Sequence, residues 1–152
     1  MALPRVFDVA VSNEIIQRIK SLNPNTQAIW GKMNVAQMLA HCNVTYEMLY
    51  ENKHPKPNFV MKFILKSFVK PTVTNETPYK KVSQTAPAFI IKDEREFEME
   101  RERLIQYILK TQALGASSFE GKESHSFGHL TANEWNNLLY KHLDHHLRQF
   151  GA

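Results

Sequence analysis

Apolar residues recur at intervals of three and four in four long blocks of the chain, separated by stretches rich in proline, asparagine, serine and threonine. That spacing predicts helices. Ile15, Ile16, Ile19 and Leu22 form the first stripe, with Ser12 as its N-cap and Asn23, Pro24 and Asn25 as its stop. Residues 30–33 read as a connector. Asn34 caps a second helix running to about Glu51, striped by Val35, Leu39, Cys42, Tyr46 and Leu49, and His54, Pro55 and Pro57 break it. Over residues 58–69, Val60, Phe63, Ile64 and Phe68 oppose Lys62, Lys66 and Lys70, which predicts a shorter amphipathic helix.

From Pro71 to Pro87 the periodicity disappears, and a long loop is expected there; loops of this length in compact domains are usually functional or mobile. A third long helix is expected from near Asp93 to Gly115, with Phe97, Leu104, Tyr107, Ile108 and Leu109 as its apolar positions. A second loop, residues 116–130, holds His125 and His129. The last helix opens on a capping box, Thr131 with Glu134, and closes at Gly151. No strand pattern and no internal repeat stands out. Four long helices and one short helix predict an all-α helix bundle, one domain over residues 1–152.

The last helix also carries the most distinctive chemistry. His142, His145 and His146 fall within five residues. At 100° per residue, Trp135, Leu139, His142, His146 and Phe150 share an arc of roughly 80°, so two histidines continue an apolar stripe. An unsatisfied buried imidazole costs about 1–3 kcal/mol. Either polar groups on neighbouring helices satisfy the pair, or a divalent metal does, since an i,i+4 pair of neutral imidazoles can share one ion. His145 lies on the flank of the stripe, where a pocket-rim or supporting role suits it better than ligation. His41 is the only histidine inside another predicted helix. It sits at the edge of that stripe beside Met38 and Thr45, and the pattern alone ranks it as a surface residue ahead of a ligand. Cys42 points along the apolar centre, as a buried thiol; His54 is expected to be exposed in a loop.

Bulk properties narrow the function classes. The 152 residues suffice for a real core, and 43% hydrophobic with 22% charged residues fits a folded domain better than a disordered tail. No run of 18 apolar residues is present, so no membrane span is expected. The first residues lack the apolar core of a signal peptide, and the single cysteine forms no internal disulfide; together these point to a reducing cytoplasm. The net charge of +4 is spread along the chain and interleaved with acids between Asp93 and Glu102, which argues against nucleic acid as the partner.

Trp30 ahead of a helix bearing Gln37 and His41, together with a final helix spaced His142, His145, His146 and Gln149, resembles the DinB/YfiT-like superfamily over nearly the whole chain. The run from Ser126 to Thr131 leading into Trp135 is similar to one subgroup of metal-dependent four-helix-bundle proteins there. The resemblance implies an up-down-down-up four-helix bundle, often a homodimer. It further implies a divalent metal (zinc, nickel or iron) held by His41, His142 and His146, with an open coordination position. It lifts His41 above its unaided rank.

Members of that superfamily include S-transferases using low-molecular-weight thiols, an isomerase of the same type and proteins described as metal-dependent hydrolases. An enzyme activating a thiol or water is therefore the leading expectation. His125 and His145 are candidates to shape the substrate pocket or carry protons, against a bland reading as ordinary loop and rim residues, which ranks ahead. Hydrolysis needs a general base, and the only carboxylate near the histidine motif, Asp144, points to the other side of its helix, which favours a thiol. A non-catalytic metal or small-ligand binder is the alternative. A nucleic-acid or membrane-surface role for the Lys62, Lys66 and Lys70 face ranks last.

Overall fold

The computed structural model describes residues 1–83 and 85–152. It is mostly helical: α1 spans Val9–Lys20, α2 Val35–Tyr50, α3 Phe59–Ile64, α4 Lys70–Thr74, α5 Phe97–Leu114 and α6 Ala132–Gln149. The capping box expected at Thr131 is formed, and the expected Asn34 cap turns out to be a full capping box as well. Asn34 accepts from the Gln37 amide at 2.8 Å while Gln37 accepts from the Asn34 amide at 3.0 Å. Thr131 and Glu134 make the same reciprocal pair at the start of α6.

Other boundaries differ from expectation. α1 begins at Val9, with Asp8 at the cap position and no side-chain cap bond. Ser12 is not the cap: it is buried inside the first turns, and its hydroxyl donates to the Val9 carbonyl at 3.1 Å. Val6 and Phe7, both buried, anchor the chain just ahead of the helix and allow the earlier start. α5 begins at Phe97, later than Asp93, because the Glu96 carboxylate accepts from the Glu98 and Met99 amides and so caps it. Within α5, Leu109 is 39% exposed, and Ile105 and Thr111 are buried instead, so the apolar stripe is rotated from the expected one.

The expected loop from Pro71 is helical for its first residues. A π-helical turn, Leu65–Val69, links α3 to α4, and Pro71 sits in the first turn of α4, where its missing amide leaves no intrahelical bond unmade. A short 3-10 turn, Pro87–Phe89, follows later. The loop expected over residues 116–130 contains an antiparallel ribbon, β1 (Lys122–Ser124) with β2 (Gly128–Leu130). Three residues per strand are too few to leave an alternating pattern in the sequence. The ribbon is closed by Ser124, whose hydroxyl donates to the Gly128 carbonyl and accepts from the Phe127 amide.

α1, α2, α5 and α6 supply one continuous apolar core, including Ile15, Ile19, Met38, Leu39, Leu104, Ile108, Leu139 and Leu143. α2 is buried continuously from Val35 to Glu47 apart from Gln37, on every face, with α5 and α6 against it. This centrality makes the edge of its stripe an interior position. None of the described helices is long and apolar enough to cross a membrane.

Candidate metal centre

The capped start of α2 fixes the rotation of that helix, and His41, two turns in, is buried at 5% exposure. α6 brings His142 and His146 one turn apart on the face toward it. One ring nitrogen from each of the three histidines lies within 4.8 Å of the others. His41 Nε2 and His142 Nε2 are 3.0 Å apart, and the ring centroid of His41 is 4.4 Å from that of His146.

The other nitrogen of each ring is tied outward. His41 Nδ1 donates to the Phe89 carbonyl at 2.8 Å, since a carbonyl only accepts. His146 Nδ1 lies 2.7 Å from Gln149 Oε1, and the Gln149 amide nitrogen donates to the Trp30 carbonyl at 2.8 Å, which assigns the oxygen to the histidine. His142 Nδ1 is 3.1 Å from the Thr45 hydroxyl, which can either accept or donate. Three outward Nδ1 atoms with oxygen partners leave three Nε2 atoms facing one another. Such outer contacts fix the tautomer and aim of metal-bound histidines. Nitrogens about 2.0–2.1 Å from a shared ion stand roughly 3.3 Å apart, close to the 3.0 Å between His41 and His142, and the third nitrogen lies within 4.8 Å of both. The three residues therefore fit a divalent ion.

Electrostatics agree. Burial lowers the pKa of all three histidines, with that of His146 pushed down to about 3; His41 further opposes protonation of His142 and His146, and His145 that of all three. Neutral imidazole is the form a metal takes. Among the described residues no carboxylate hydrogen-bonds to any of the three; Asp144 is held by Arg18 at 3.0 Å and Arg148 at 2.8 Å. Phe89 stands edge-on to His41 and His142 and covers the group from the loop side.

Of the remaining histidines, His145 is half-buried beside the group, edge-on to His146, Trp30 and Tyr79. His125 is not brought there. Its ring bonds Ser126 and the backbone carbonyl of His54, so it braces two loops and is no part of the cluster's surroundings. His129 bonds the Gly121 carbonyl within the ribbon. His54 is partly buried, not exposed, 3.6 Å from Glu47. Cys42 is buried, and burial drives its pKa up, as expected for an inert thiol.

The partners of the rings were the part that sequence reasoning missed. Gln149 lies one turn beyond its partner His146 and so carried a spacing signal, whereas Thr45 meets His142 from another helix and carried none. Phe89 contributes a backbone carbonyl from a loop, which no residue type announces.

A family model described as a protein of unknown function, DUF1569, matches residues 1–152, and the chain belongs to that family. Among curated proteins and among solved structures, none matches.

Proposed function

We propose that this member of the DUF1569 family is a DinB/YfiT-like four-helix bundle, up-down-down-up and one domain over its 152 residues, built around a divalent metal on His41, His142 and His146. It acts as an enzyme that activates a low-molecular-weight thiol in an S-transfer reaction. One observation carries the reading: three Nε2 atoms converge while every Nδ1 is engaged by an oxygen. A divalent ion with an open position lowers the pKa of a thiol or water that reaches it. The chain's own residues hold the imidazoles neutral and aimed, and Phe89 limits water on one side. With Asp144 committed to two arginines, no carboxylate among the described residues hydrogen-bonds to the histidine group as a base, which favours a nucleophile as acidic as a thiol over hydrolysis by water.

A second reading has its own support. If Thr45 donates to His142 Nδ1, then His142 Nε2–H donates to His41 Nε2, and that pair is satisfied without an ion. The protein would then be a non-catalytic bundle. Elemental mass spectrometry of the purified protein separates the two. Near-stoichiometric zinc, nickel or iron, lost in both His41→Ala and His142→Ala, supports the metal centre; absence of metal after reconstitution rejects it. Cobalt-loaded protein then reports on the nucleophile. A new near-ultraviolet absorption on adding a small thiol supports thiol chemistry, and its absence together with hydrolytic turnover of ester substrates favours water.

A further inference from the structure

Beside the three histidines, a cleft of about 190 Å³ has Trp30, Tyr79, Lys81, Lys141, His145 and Arg148 among its walls. Two acids also reach it, and both are already paired: Glu76 with the N-terminal amine at 3.2 Å, and Asp144 with Arg18 and with Arg148 of the cleft wall. Neither Lys81 nor Lys141 has a carboxylate partner among the described residues. Lys141 is the telling one, at 4% exposure. Its ammonium donates to the Thr72 carbonyl at 2.7 Å and to Asn75 Oδ1 at 2.8 Å, and stands 4.6 Å from the centroid of the Tyr79 ring. Those neutral groups satisfy two of its three protons and leave its charge without a counter-ion. A buried cation without an opposite charge is expensive to maintain. Lys81 adds a second positive charge over the Trp30 ring, 5.1 Å from its centroid.

We infer that this cleft binds a small organic carboxylate with an aromatic or planar body, its charge set against Lys141 and Lys81 and its body against Trp30 and Tyr79. Size agrees, because cavities of about 150 Å³ accept a benzene ring. The cleft also shares parts with the histidine group: His145 stacks edge-on against His146, 4.9 Å between centroids, and the Trp30 carbonyl holds the Gln149 amide that orients His146. The inference rests on the metal-centre reading for what the bound anion undergoes, but binding itself needs no metal.

Calorimetric titration of the full chain, as purified and after chelation, with benzoate, benzamide and inorganic phosphate tests it. Benzoate is expected to bind saturably in both preparations, at least tenfold more tightly than benzamide or phosphate, and at least tenfold more weakly to Lys141→Met. Lys81→Met, at a more exposed position, is expected to weaken benzoate severalfold and serves should the first variant fail to fold. Equal binding of benzoate and benzamide, or no benzoate binding in either preparation, overturns the anion site. Phosphate as tight as benzoate overturns the aromatic carboxylate as its ligand. Metal content measured on the same samples reports separately on the three histidines.

Discussion

Three imidazoles held neutral in the interior make the stability of the metal-free protein depend on pH. Each folded-state pKa lies below that of the unfolded chain, near 6.5, so in acid the unfolded state takes up protons that the folded state refuses. The stabilisation is complete above pH 6.5 and is lost as pH falls toward about 3, the value for His146. Each such histidine contributes up to about 1.4 kcal/mol per pH unit across that window. Urea unfolding of chelated protein is expected to show lower stability at pH 5 than at pH 7, with a smaller difference in His146→Leu; identical curves would contradict the burial described. Gly31 offers a second single-residue test. It has φ +85°, and a Cβ there would lie 2.5 Å from Gln149 Nε2. Gly31→Ala must displace the amide that aims His146, and metal affinity is expected to fall about 10–100-fold, as for other outer-shell losses. Competition with a fluorescent chelator measures it. Gln149→Leu is expected to fall in the same range.

At the scale of elements, caps carry much of the positioning. The Asn34 box starts α2, the helix that carries His41, and the Thr131 box starts α6, which carries His142 and His146 about three and four turns further on. Thr131→Ala is expected to cost about 1 kcal/mol of stability with metal content unchanged, seen as a lowered thermal midpoint. The Asn34 cap and the Thr131 box were legible because a cap is a contact over three residues. The ribbon and the helical turns through Pro71 were not. Three-residue strands have no period, and a π turn displaces the stripe that would have marked the helix as continuous. The rotation of α5 was misjudged for a different reason. Glu100 is 1% exposed because Arg95, Arg103 and Asn43 surround its carboxylate, so a charged residue occupies a position that hydrophobicity assigns to solvent.

Among the described residues, a cluster of large apolar side chains is left uncovered on α3 and the turn after it. Phe59, Phe63 and Phe68 on α3 and the following turn are 65–88% exposed, with Val60, Met61 and Ile64 beside them. Lys62 and Lys70, the charges expected to oppose this face, are paired to Glu123 and Glu134. We propose that a homodimer, the association the sequence resemblance implies, buries this face. Sedimentation of the wild type is expected to give a dimer mass, and Phe63→Glu a monomer that keeps its metal; a monomeric wild type ends the idea. By itself the sequence determined the four long helices, the caps of α2 and α6, and the i,i+4 placement of His142 and His146, because each depends on residues within a turn or two of one another. Only the tertiary structure decided that His41 is interior, that the Phe89 carbonyl and the Thr45 hydroxyl meet His41 and His142, that His125 lies elsewhere, and that Lys141 is buried without a counter-ion. Those follow from how segments far apart in the chain pack, and no local pattern of residue types encodes that.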